Sequence, residues 1–254
     1  MKSQKVEIGT PDGTADGLLV RPEGNEALPG VVVLTDIFGL RPAYEDLSKR
    51  IAERGYVVCM PNIFYRTAKT PVFDFEPDFQ NERTKSRAGE LRGPLTPEAM
   101  ARDGSGYVDF LSAQPLVSAG PMGVVGFCFS GEFALRTAAA RADRIGAAAS
   151  FHGGGLATDA ETSPHRVLPQ VKARLYFGHA ENDRSMPAEA IEKLDCALEE
   201  WGGDYESEVY KGAQHGWMIP GERVYDREQA ERGFGQLMAL LDGSLRVRSV
   251  SGVV

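Results

Sequence analysis

The chain has 254 residues, enough for one large α/β domain and a sizeable core. Its 28 basic and 36 acidic residues give a net charge of −8, which argues against nucleic acid or an anionic membrane as partner. Three cysteines, Cys59, Cys128 and Cys196, are too few and too scattered for a disulfide framework or a metal site.

In chain order, Val6–Ile8 and Gly17–Val20 flank Pro11-Asp12-Gly13 and predict a β-hairpin. Val31–Thr35 is a β-branched run suited to a strand buried on both faces. A helix is expected from Tyr44 to Arg54, stopped by Gly55, and a second buried strand at Tyr56–Met60. From Asn62 to about Pro97 the periodicity fails, and the stretch is too long for a simple connection. We read it as a lid-like segment at about 62–97. Its Phe64, Tyr65, Phe73, Phe75 and Phe79 could form an apolar acyl pocket or pack the lid down.

Glu98–Ala113 reads as a helix that Gly104 and Gly106 weaken. Strands follow near Val125, at Ile145–Phe151, Ala173–Phe177 and Ser207–Tyr210, with helices at Glu132–Ala140, Ala188–Trp201 and Val224–Leu241. This alternation predicts an α/β fold, a mostly parallel central sheet with helices on both faces. There is no internal repeat or linker, so residues 1–254 are expected to form one domain, with a loose tail at Ser249–Val254. The N-terminal residues carry no apolar signal-like run, and no stretch is long enough to span a membrane. A cytoplasmic protein without cofactor or metal, monomer or homodimer, is the expectation.

The segment Gly126-Phe127-Cys128-Phe129-Ser130-Gly131 joins an apolar strand to a helix through small residues around a thiol. Strand, tight turn and helix in that order make the nucleophile elbow of α/β-hydrolases, here with cysteine in the nucleophile position. A thiolate needs a base, and His215 lies in a glycine-bounded loop after the last strand, where this fold carries its histidine. The acid belongs between them, in the loop 178–187; Asp183 is favoured, with Glu181 as alternative. Backbone N–H groups of Phe129 and Ile37 are the expected oxyanion donors. Ser130 has no glycine two positions before it, so it is a weak candidate nucleophile.

These residues resemble the dienelactone hydrolase (carboxymethylenebutenolidase) family. The matching pieces are Asp36-Ile37-Phe38-Gly39, Arg54–Val58, Gly126–Gly131, the Asp183 loop with Pro187, and Gly212–Gly216. The resemblance implies a Cys128–His215–Asp183 triad acting on small esters or lactones through an acyl-enzyme. Asp36 stands where the family's lactonases carry a glutamate that holds the resting thiol's proton, so Asp36 is expected near Cys128. Ile219 replaces an arginine that those lactonases use on the substrate carboxylate, which points away from dienelactone itself. Arg83, Arg87 or Arg92 could supply another cation; Arg87 and Trp217 are carried as candidate substrate contacts. The competing reading is a non-hydrolytic protein of the same fold that binds a small ligand or senses oxidants through Cys128.

Overall fold

A computed structural model describes residues 1–246. The tail expected at Ser249–Val254 lies outside the described residues. One eight-stranded sheet runs through the molecule, built from β1 (Lys2–Thr10), β2 (Gly13–Arg21), β3 (Gly30–Leu34), β4 (Val57–Pro61), β5 (Met122–Phe127), β6 (Ile145–Phe151), β7 (Arg174–Asn182) and β8 (Tyr205–Gln214). Their spatial order is β1-β2-β4-β3-β5-β6-β7-β8. Strand β2 is antiparallel to both β1 and β4, and every pairing from β4 to β8 is parallel.

The continuous apolar strands have a simple cause: both faces are covered. Along β3, Val32 and Leu34 face one core with Val124, Ala148 and Phe177, while Val31 and Val33 face the other with Val125, Ala147 and Ala149. Helices α3 (Pro97–Ser112), α4 (Ser130–Ala140) and α5 (Ala188–Trp201) contribute Leu111, Phe133 and Leu194 to the first core. Helices α1 (Pro42–Glu53) and α6 (Arg227–Leu245) contribute Ile51 and Leu241 to the second. Helix α3 survives its two glycines because one is required: a Cβ on Gly104 would come within 2.2 Å of Thr137 on α4. Thr96 caps this helix by accepting the Ala99 N–H, and Pro97 occupies its first turn, where a missing N–H costs nothing.

The stretch 62–97 is more ordered than its sequence pattern. It contains the helix α2 (Glu82–Arg92), whose N-cap Asn81 accepts the Arg83 N–H. Its start is tied down: Asn62 donates to Asp16, and Arg66 makes a bidentate pair with the fully buried Asp103 of α3. Strands β7 and β8 both run several residues beyond their apolar runs, because each is paired along its polar end with the other. Asp183 therefore follows directly on a strand end instead of sitting within a long loop.

Candidate active site

Sterics make the turn after β5. A Cβ on Gly126 would sit 2.0 Å from the Ser130 carbonyl oxygen, and one on Gly131 would sit 2.1 Å from Ser150 Oγ. Only glycine fits either place. Cys128 between them has φ +59°, a left-handed conformation that costs a non-glycine residue on the order of 1–3 kcal/mol and must be held by its surroundings. Ser130 supplies part of that hold. Its fully buried Oγ accepts the Phe127 N–H at 2.8 Å and lies 2.9 Å from the Leu34 carbonyl, joining the turn to β3. This bonding leaves Ser130 no access to solvent and no role as a nucleophile.

Cys128 is half-buried and lines an open cleft of about 1220 Å³ with Phe129, Asp183 and His215. His215 reaches it from the turn after β8, Asp183 from the end of β7. Their side chains meet at 2.6 Å, Nδ1 of His215 to Oδ2 of Asp183. The other carboxylate oxygen, Oδ1, accepts from Ser185 twice, the backbone N–H at 2.8 Å and the hydroxyl at 2.6 Å. Ser185 Oγ also lies 3.2 Å from His215 Nδ1. Glu181 points elsewhere and accepts the Gly212 N–H. The Asp183-x-Ser185 spacing is the one sequence signal for this bracing, an Asx-type turn.

Burial works against a charged imidazole at His215. The hydrogen bonds to Asp183 and to Cys128 outweigh it and raise the pKa to about 10. Asp183 is likewise disfavoured as an anion by burial, yet lies below the usual carboxylate range because His215 and Ser185 donate to it. The site is thus arranged to hold a proton on His215 beside a sulfur. Cys59, in contrast, lies in the core, and burial pushes its thiol up to about 12. Cys196 is exposed on α5.

The backbone N–H groups of Phe129, at the start of α4, and of Ile37, in the turn after β3, make no hydrogen bond among the described residues. That turn is rigid. Asp36 Oδ1 accepts the Phe38 N–H, and its two oxygens take both ends of the Arg41 guanidinium at 2.6 and 2.8 Å. Arg41 also donates to Glu222 from the segment beyond His215.

Asp36 makes no hydrogen bond to Cys128 in this arrangement. The hydrogen bond to the thiol expected of this carboxylate is absent among the described residues, and a bidentate arginine five residues on is its partner instead. Trp217 and Arg87 also lie away from the cleft. The indole of Trp217 is fully buried, stacked on Tyr210 at 4.2 Å, since so large an apolar ring gains more in the core than in water. Arg87 donates to the Val72 carbonyl and pairs with Glu90 on the outer side of α2. Arg92, at the last turn of that helix, does line the cleft, with its guanidinium 5.1 Å from the centre of the Phe129 ring. Arg184 and Arg223 line it as well. Of the aromatics in 62–97, Phe73 and Phe79 pack on Phe38, and Phe79 remains 47% exposed at the cleft wall. Among the described residues no group of three histidine, cysteine or acidic side chains could hold a metal ion. None of the described helices is long and apolar enough to cross a membrane.

A mostly parallel sheet of this order, with its elbow after β5 and a histidine after β8, defines the α/β-hydrolase class. The same fold recurs in a dienelactone hydrolase-like promiscuous phosphotriesterase from metagenomic libraries (TM-score 0.81, 20% identity, 96% of this chain and 99% of that one). It recurs also in the acylaminoacyl peptidase of Pyrococcus horikoshii (TM-score 0.72, 16% identity, 99% of this chain but 43% of that one). Within the class, the model of the dienelactone hydrolase family matches residues 15–244, and the chain belongs to that family. Carboxymethylenebutenolidases of Rhodococcus opacus and Pseudomonas putida are 28% and 27% identical to it. Each alignment covers 74% of this chain, and 69% and 75% of those proteins respectively.

Proposed function

We propose that the protein hydrolyses small esters or lactones by a Cys128–His215–Asp183 triad and a thioester intermediate. The observation that carries this reading is the 2.6 Å contact between His215 and Asp183 in the same cleft as the elbow cysteine. The names of the carboxymethylenebutenolidase relatives support the bond class.

His215 takes the Cys128 proton, and Asp183 stabilises the imidazolium and fixes its orientation. The sulfur attacks the carbonyl carbon, and the oxygen gains a negative charge between the N–H groups of Phe129 and Ile37. The C–O bond then breaks as His215 gives its proton to the leaving alkoxide, which in a lactone stays on the acyl chain. A water loses its proton to His215 and adds to the thioester. Collapse of that second oxyanion releases the acid, and the proton returns to sulfur. Arg92, Arg184 and Arg223 give the wall a positive balance, since Glu132, its other carboxylate outside the triad, is paired with Arg136. Esters bearing a negative charge are therefore favoured substrates.

The test is hydrolysis of p-nitrophenyl acetate. Cys128→Ala is expected to abolish both the burst and the turnover, with Cys59→Ala and Cys196→Ala retaining them. Undiminished turnover in Cys128→Ala overturns the assignment. Stoichiometric labelling of Cys128 without turnover in the parent favours a ligand-binding or thiol-sensing protein instead.

A further inference from the structure

We propose that His152 is a positioning residue for the nucleophile, holding the backbone of Cys128 through a neutral ring nitrogen. The inference rests on the reading of Cys128 as nucleophile. Among the described residues, only two that are not glycine have φ in the left-handed region, Cys128 at +59° and His152 at +41°. They are bonded to each other: the Cys128 N–H lies 3.1 Å from His152 Nδ1 and 3.1 Å from the Phe151 carbonyl. Two strained residues, each the first after one of the adjacent strands β5 and β6, thus brace one another.

Local chemistry explains why the strain is tolerated. The His152 N–H still donates to the Gly178 carbonyl at 2.7 Å, so the β6–β7 ladder is complete before the chain turns away. A Cβ on Gly153, the next residue, would fall 2.2 Å from Ser150 Oγ, which makes the turn abrupt. The abrupt turn and the left-handed φ bring the ring over the elbow, 6.0 Å from Phe127 and 6.2 Å from Trp217.

An imidazole accepts a hydrogen bond only through a nitrogen without a proton. Nδ1 accepts here, so the proton of His152 is on Nε2, which is buried and has no partner among the described residues. The ring lies edge to face against His215, 5.3 Å between centres. The charged groups that act on it are His215, Asp183 and Arg41. Burial, reinforced by the His215 charge, holds its pKa well below the usual histidine value. A second cation there would lose the acceptor and repel the imidazolium on which the thiolate depends. The site therefore pairs one histidine built to be charged with one built to stay neutral.

Three variants separate acceptor from bulk. Asparagine places an oxygen close to the position of Nδ1 and tolerates left-handed backbone. Leucine keeps volume without an acceptor, and alanine removes both. The readouts are p-nitrophenyl acetate kinetics and the pH profile of Cys128 alkylation by iodoacetamide, followed by mass spectrometry, in full-length protein with its melting transition recorded. In His152→Leu, or in His152→Ala should the leucine variant not fold, kcat is expected to fall about tenfold or more, with KM changed less than about twofold. The alkylation midpoint should move to higher pH, because a displaced sulfur loses contact with His215. His152→Asn should recover kcat to within about threefold of the parent and restore the midpoint. A folded variant without an acceptor that matches the parent overturns the proposal, as does equal impairment of the asparagine and leucine variants. Parent Cys128 that is alkylated no faster than Cys196 would instead count against the nucleophile reading.

Discussion

Two strand ends each carry a buried aspartate, of which Asp183 lines the cleft and Asp36 does not, and they differ in what each carboxylate meets. Asp183, after β7, faces a histidine that can gain or lose a proton. Asp36, after β3, faces an arginine that cannot, and through Arg41 it is linked to Glu222. Proton chemistry is possible only at the first. At the second the charge pair is a clasp, pinning the turn that carries the Ile37 N–H. The contrast shows that a carboxylate's role near a reactive group is set by the pKa of its partner, not by its own position on the sheet.

The sharpest way to break this comparison is to neutralise each aspartate. Asp183→Asn should reduce kcat for p-nitrophenyl acetate by roughly 10³- to 10⁴-fold, because an amide no longer selects the productive tautomer of His215. A loss of less than about tenfold would remove Asp183 from the mechanism. Ser185→Ala should come next, with kcat lowered about tenfold and KM little changed, since one Asp183 oxygen loses a hydroxyl donor and the carboxylate can rotate. Ser185→Thr, which keeps the hydroxyl, should recover most of it.

Asp36→Asn should act mainly on the fold. Loss of one charged bidentate pair is expected to cost on the order of 1–3 kcal/mol in urea unfolding, with activity falling only a few-fold. The pH dependence of activity should keep its shape, as the Asp36 carboxylate is bonded to Arg41 and the Phe38 N–H and not to Cys128 or His215. A shifted profile would restore the carboxylate to the thiol.

A slower measurement sharpens the same contrast through stability. His215 has its pKa raised in the folded state, from about 6.5 to about 10. Its contribution is therefore fully present below pH 6.5 and is lost as the pH rises through 10. Unfolding free energy of the parent should decline over that window more steeply than that of Asp183→Asn. Parallel curves would mean that the pair contributes nothing to stability.

Much of the site was legible from local pattern. The elbow needs glycine on either side of its nucleophile for reasons that span only a few residues, so Gly126, Cys128 and Gly131 identify it without knowledge of the fold. Asp183 and His215 were found by chain order, yet order left Glu181 open. It was the strand pairing of β7 with β8 that turned Glu181 toward Gly212 and Asp183 toward His215. Helix α2 escaped notice because its apolar contacts, Ala88 and Leu91, are sparse among charged residues. Trp217 illustrates the opposite error. It was a candidate substrate contact, whereas its indole, two positions along from His215, packs in the second core.

By itself, the sequence determined the alternation of strand and helix, the strained turn at Cys128 and the chain order of its candidate partners. These follow from steric and hydrophobic periodicities that act over a few residues. Tertiary structure alone decided which charges meet. Arg41 claimed Asp36, Ser185 braced Asp183, and His152 came to rest against the backbone of Cys128. Hydrogen bonds and ion pairs act over about 3 Å, and partners on different strands reach that range only when the sheet sets their spacing.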